Sequence, residues 1–164
     1  MSDGIERFNA LPDDEALEAL YGCFAERRWA ARMAAGRPYR DLAALLESAE
    51  SAWSDVTPGG WLEAFKAHPR IGEGGGHSPE ASRREQSRVS QASQQTLTAL
   101  AEENRRYEAR FGHVFLIAAS GRSADEVLEA LRGRIDHDPA AELEVAAGEH
   151  RKITRLRLER LLIG

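Results

Sequence analysis

His68 stands between an apolar helical stretch containing Trp61 and Phe65 and the glycine-rich run Gly72-Glu73-Gly74-Gly75-Gly76. A titratable group on a rigid support beside a loop is a frequent setting for acid–base chemistry, and imidazole titrates near neutrality. The same place suits a helix-end histidine bonded to the last carbonyls, and spacing alone favours that simpler role. Ser82, Glu85 and Gln86 fall at i, i+3 and i+4, on one helical face, with Val89 one turn on. A hydroxyl, a carboxylate and an amide together offer donors and acceptors for a small polar, ureide-like ligand. Ser-x-x-Glu is equally a capping box, and polar helix faces are ordinarily just solvated. Arg157 lies in Ile153-Thr154-Arg155-Leu156-Arg157-Leu158 and reads from spacing as a surface arginine pairing with an acid such as Glu159.

Other chemistries find little support. The five histidines (68, 77, 113, 137 and 150) are separated by 9, 36, 24 and 13 positions, none of them the spacing of a metal motif. The single cysteine adds no thiolate pair, so no metal is expected. The glycine-rich loop lacks the Gly-Lys-Ser/Thr ending of a phosphate loop and follows no strand pattern. There is no Gly-x-Ser-x-Gly elbow.

The elements that must position these groups read as helices almost throughout. Pro12-Asp13-Asp14-Glu15 opens one, with proline in the first turn and Leu17, Leu20, Tyr21 and Phe24 on its apolar face. Arg27 to Ala35 predicts a second, stopped at Gly36, and Arg40 to Trp53 a third, with Leu42, Leu45, Leu46 and Ala49 in register. Thr57-Pro58 caps a helix that ends at His68-Pro69. Ser78-Pro79 starts another, and the chain breaks again around Ser90 to Gln95. Leu97, Leu100, Asn104, Tyr107 and Phe111 then share a face that Gly112 closes. Val114 to Ala119 is a continuous apolar run that periodicity cannot assign. Ser123-Ala124-Asp125-Glu126 is a capping box, and Asp138-Pro139 opens the last helical region. The reading is all-α: a compact single-domain bundle of about seven to nine helices over residues 1–164.

Length and charge bound the rest. A chain of 164 residues is one ordinary domain, long enough to fold without disulfide or metal staples. Its 22 basic and 27 acidic residues give a formal charge of −5, which argues against nucleic acid as a partner, although arginine outnumbers lysine twenty to two. No apolar run approaches the ~18–20 residues of a membrane helix. Neither end reads as a targeting signal, and a lone cysteine fits a reducing compartment, so a cytoplasmic location is expected.

Several short motifs stand in a fixed order: Phe8-Asn9; Trp29 with Arg37-Pro38-Tyr39; His68-Pro69-Arg70-Ile71-Gly72; and Ser82-x-x-Glu85-Gln86. Asn104-x-x-Tyr107-x-x-x-Phe111-Gly112-His113-Val114-Phe115-Leu116-Ile117-Ala118 and Glu149-x-x-Lys152-Ile153-x-x-Leu156-Arg157-Leu158 follow. Together they resemble the 2-oxo-4-hydroxy-4-carboxy-5-ureidoimidazoline (OHCU) decarboxylase family of urate catabolism, over nearly the whole chain. The resemblance implies an all-helical, cofactor-free enzyme, usually a homodimer, that converts OHCU to S-allantoin and CO2. His68 matches the family's catalytic histidine, and Glu85 would be its partner or the acceptor of the substrate hydroxyl. Pro69, Ser82, Glu85, Gln86 and Arg157 match substrate-contacting positions, as does the backbone of Phe115, Leu116, Ile117, Ala118 and Ala119. The resemblance therefore implies that His68, Glu85 and Arg157 converge on one cavity. The chain departs from the family at Ala118, where many members carry cysteine, and at Glu26-Arg27-Arg28-Trp29, where many have small residues before the tryptophan. A noncatalytic helical interaction module, or a cofactor-free enzyme acting on another ureide, remains an alternative.

Overall fold

The computed structural model describes residues 2–68, 85, 86, 88, 89 and 92–163, with side chains from Gly4 onward. Eight α-helices and no strand occur among them: α1 Ser2–Ala10, α2 Asp13–Cys23, α3 Arg27–Ala35, α4 Leu42–Ser54, α5 Pro58–Phe65, α6 Gln94–Phe111, α7 Ala124–Arg134 and α8 Pro139–Ile163. The all-α expectation holds. Contacts divide the chain into two units, residues 1–64 with 151–164 and residues 65–150. No described helix is long and apolar enough to cross a membrane.

In the first unit the apolar faces of α2, α3 and α4 close around Leu20, Phe24, Trp29, Met33 and Leu45. Phe24 meets Trp29 edge to face at 5.3 Å, and the Trp29 indole N–H donates to the Ala49 carbonyl at 3.3 Å. Caps set the helix starts. Asp41 accepts from the Ala44 amide at 2.8 Å, so α4 opens at Leu42 rather than Arg40. Pro12 occupies the cap position of α2 itself, one step ahead of the expected first turn. Glu26 accepts from the Trp29 amide at 2.7 Å. At Glu26-Arg27-Arg28, where the chain departs from the family, the Glu26 carboxylate itself caps α3 by taking a first-turn amide. Gly4 faces the backbone of Leu162 so closely that a β-carbon there would overlap its carbonyl. The motif residues Asn9, Arg37 and Tyr39 are structural. Asn9 and Tyr39 exchange two hydrogen bonds of 2.8 and 2.9 Å, and Arg37 donates to the carbonyls of Phe8 and Leu11 at 2.9 and 2.8 Å.

In the second unit Leu100, Asn104 and Tyr107 line the buried side of α6. Gly112 ends that helix with φ 80° and its N–H on the Glu108 carbonyl at 2.8 Å, a left-handed turn that favours glycine. Val114 to Ala119 is neither strand nor helix. Ser123 and Glu126 form the expected capping box of α7. Around them Val89, Leu100, Tyr107, Phe115, Val127 and Leu131 make the core. A polar knot is embedded in it. Glu142, 0% exposed, receives Nε and Nη2 of Arg134 at 3.0 and 2.5 Å, the Tyr107 hydroxyl, and a hydrogen bond with His137 Nδ1 at 3.1 Å. Hydrogen bonds and the Arg134 guanidinium offset the desolvation cost of burying this side chain.

Candidate active site

α5 ends at Phe65, three residues before the sequence-expected stop, and the His68 amide folds back onto the Phe65 carbonyl at 3.1 Å. That turn leaves His68 half-buried, with its Nε2 2.8 Å from Nε2 of His150. The two rings stand nearly perpendicular, 85° apart with centroids 4.5 Å apart. His150 lies on α8 and is 1% exposed, its ring against Phe65 at 5.4 Å, and Phe65 also packs against His113 at 5.4 Å. The His68 ring engages another imidazole, a partner with both a donor and an acceptor state.

Glu149, beside His150 on α8, accepts from the Ala118 amide at 3.0 Å. Arg122 Nε donates to the Ala118 carbonyl at 3.1 Å, and Arg134 Nη1 to the Leu116 carbonyl at 2.7 Å while its guanidinium lies 4.4 Å over the Phe115 ring. Side chains from α7, α8 and their approaches therefore hold Phe115 to Ala119 in place of a regular ladder. The exchange of cysteine for Ala118 leaves that support intact, since the bonds are to backbone atoms.

Glu85 is 7% exposed and Gln86 half-buried, and Val89 lies in the core. A buried carboxylate is unusual for a merely solvated helix face. Pro69 and Ser82 lie outside the described residues, as does the helix expected from Ser78. Arg157 belongs to the first unit. It is 5% exposed and donates through Nη1 to the Gly22 carbonyl at 3.1 Å, while Glu159 is taken by Arg155 at 3.2 Å. The expectation of a surface Arg157 is corrected: it is buried, and its neighbour two positions earlier makes the exposed pair.

Sequence reasoning missed His150 and gave Glu149 no role. The signal lay in register. Positions 142, 146, 149, 150, 153, 154, 157 and 158 are all buried and recur with helical period along α8. Several of them are polar, so a hydropathy pattern conceals the buried face. No group of three or more His, Cys, Asp or Glu among the described residues could hold a metal ion. The first unit also contains a cleft of about 490 Å³ beside Trp29, Arg32 and Asp55, which none of the candidate residues lines.

The OHCU decarboxylase family model matches residues 9–159. A bifunctional uric acid degradation protein from Arabidopsis thaliana is 38% identical over 145 residues, 85% of this chain, and the match spans 45% of the relative's length. A 2-oxo-4-hydroxy-4-carboxy-5-ureidoimidazoline decarboxylase from Haloferax volcanii is 28% identical over 160 residues, covering 94% of this chain and 93% of the relative. A crystal structure of an OHCU decarboxylase obtained in the presence of (S)-allantoin superposes with a TM-score of 0.80 at 35% identity, covering 94% of this chain and all of that one. The family match spans most of the chain, and the chain belongs to the OHCU decarboxylase family.

Proposed function

We propose that this chain is a carboxy-lyase that converts OHCU to (S)-allantoin and CO2 in urate degradation. The observation that carries the reading is the match at 35% identity to the whole of an OHCU decarboxylase crystallised with (S)-allantoin. The family match, residues 9–159, spans both units, and the chain is read as one catalytic domain acting without a cofactor, as a homodimer in the cytoplasm.

The substrate supplies its own electron sink. Its carboxylate sits on the hydroxyl-bearing ring carbon, next to a carbon in a C=N bond. As the bond to CO2 breaks, the electron pair flows into that C=N and the ring nitrogen takes a proton. The hydroxyl then surrenders its proton, becoming the carbonyl, while the adjacent carbon receives one from a single face. The net change is one proton taken up per CO2 lost. The protein has to align the carboxylate with the π system and serve these proton transfers. In this reading His68 is the acid–base group and Glu85 its partner or the acceptor for the hydroxyl. Ser82, Gln86 and the backbone of Phe115 to Ala119 read the ureido and ring amides, with Pro69 at the edge of the site. Arg157 holds a carbonyl or anionic edge through directed donors.

The test follows freshly generated OHCU by the circular dichroism of the product. Wild type should accelerate its decay and give one enantiomer of allantoin. His68→Asn, folded by far-ultraviolet dichroism, should lose on the order of 10²-fold or more in turnover, the usual worth of a positioned acid–base group. Racemic product at the uncatalysed rate would leave a noncatalytic module or an enzyme of another ureide. Wild-type turnover in His68→Asn would return that residue to an ordinary helix end. Light scattering on the purified protein tests the dimer.

A further inference from the structure

Between the left-handed glycines Gly112 and Gly121 the chain forms no regular element, yet three successive peptides in it are held by side chains. The Leu116 carbonyl receives Arg134 Nη1 at 2.7 Å, and the Ala118 carbonyl receives Arg122 Nε at 3.1 Å. The Ala118 amide donates to Glu149 at 3.0 Å. The engaged residues, 116 and 118, are alternate positions, which share one edge of an extended chain. A trans peptide sets each N–H antiparallel to the carbonyl before it. Fixing the Leu116 carbonyl therefore turns the Ile117 N–H the opposite way. Fixing the Ala118 amide and carbonyl does the same for the Ile117 carbonyl and the Ala119 N–H. Among the described residues none of these three groups makes a hydrogen bond, although Ile117 and Ala119 are only 4% and 3% exposed. Buried main-chain groups are almost always paired, so this donor–acceptor–donor edge calls for a polar partner.

We propose that Arg122 and Arg134 are positioning residues for the decarboxylation: by taking the carbonyls of one edge, they aim the Ile117 N–H and C=O and the Ala119 N–H at an amide of the substrate. The proposal rests on the reading of this segment as substrate-contacting. OHCU carries amide N–H and C=O groups side by side in its ring and its ureido arm. The Ile117 carbonyl and the Ala119 N–H are the acceptor and donor that match such a unit. Arg134 is anchored in the core. Its Nε and Nη2 lie on Glu142, which also takes the Tyr107 hydroxyl, and its guanidinium covers the Phe115 ring. A planar fork fixed at two donors has a fixed direction for the third, here the one on Leu116. Arg122 grips the other end. Its own amide bonds the Ala119 carbonyl at 2.9 Å, so main chain and side chain of one residue hold two consecutive carbonyls.

Backbone nitrogen-15 spectra of the wild-type protein titrated with (S)-allantoin test the edge without a variant. The Ile117 and Ala119 amides should shift, and the Ala118 amide, kept on Glu149, should move least of the three. Ala118 moving as far as either, or Ile117 and Ala119 staying still while other residues respond, overturns the proposal. Arg122→Ala keeps the main-chain bond to Ala119 and releases the Ala118 carbonyl. It should raise KM about three- to tenfold with kcat within about twofold, because the edge serves ground and transition states alike. Arg122→Lys, which restores a charged donor, should recover much of that loss. In Arg134→Lys a point charge pairs with Glu142 but cannot also serve Leu116 as a fork does, and KM should rise by a similar factor. Ser123→Ala weakens the start of α7 without touching these peptides and should leave KM unchanged; an equal rise there assigns the effect to lost stability and overturns the proposal. If Arg134→Lys does not fold, Arg122→Ala and the titration decide. Wild-type KM in the folded arginine variants, beside a wild type that consumes OHCU, removes only this inference, whereas a wild type that leaves OHCU untouched removes the reading beneath it.

Discussion

Arginine is seldom buried to 5% exposure unless its donors are engaged, and Nη1 of Arg157 is engaged by the carbonyl of Gly22. If the same side chain anchors substrate, its loss should register twice. Arg157→Ala should lower stability by about 1–3 kcal/mol, because the hydrogen bond to the part-buried Gly22 carbonyl is lost, and raise KM at least tenfold. Thermal melts and steady-state kinetics separate the two. Arg157→Lys should recover part of the melting temperature but little of KM, since a point charge does not reproduce a planar fork; full recovery of both would mean that charge alone suffices. His137 shows how a residue outside every matched motif can still matter. Its Nδ1 lies 3.1 Å from the buried Glu142 carboxylate. His137→Asn should cost about 0.5–1.5 kcal/mol, read from a shift in the urea midpoint, since Arg134 and Tyr107 remain to hold Glu142.

At the scale of elements, helix ends control where the candidate groups stand. The capping box at Ser123 fixes the start of α7, which carries Arg134, and Arg134 in turn supports the Leu116 carbonyl. Gly112 turns the chain out of α6 into the irregular segment. Ser123→Ala should cost about 1 kcal/mol with turnover of the folded protein retained. Gly112→Ala should cost about 1–2 kcal/mol, because an added β-carbon penalises the left-handed conformation although space is open around it. Denaturant melts of both variants check this. A Gly112→Ala protein as stable as wild type would mean that the turn relaxes without loss. α8 shows the opposite dependence, for its start follows from Asp138-Pro139 while its buried face does not follow from hydropathy.

Across the whole molecule, buried tyrosines set a limit on alkaline stability. Burial, then the hydrogen bond and charge of Glu142, push the Tyr107 phenol well above its ordinary 10.0, and burial raises Tyr39 as well. A raised folded-state value means that the unfolded chain releases these protons first as pH climbs. Their contribution is complete below about pH 10 and is lost progressively above it, toward the folded-state values. Urea melts between pH 8 and 11 should therefore show stability falling above pH 10. Tyr107→Phe, less stable at neutral pH, should show a shallower fall. An unchanged slope in that variant would assign the alkaline loss to other groups.

The sequence by itself determined the helices and most of their ends, because capping residues, prolines and glycines act within a turn of where they stand. Arg27 to Ala35, the Ser123 box and the stop at Gly112 are local events, and the structure repeats them. Motif order likewise placed the chain in its family, since order survives where individual residues vary. Only the tertiary structure decided which polar side chains are buried and whom they meet. His68 and His150 are 82 positions apart, as no local spacing rule can anticipate, and Glu142 gathers Tyr107 from another helix. Arg155 and Arg157 look alike in sequence, yet one faces Glu159 at the surface and the other Gly22 in the interior. The physical reason is that a helix declares its buried face through apolar residues, whereas α8 buries charged and polar groups whose compensation comes from partners distant in the chain.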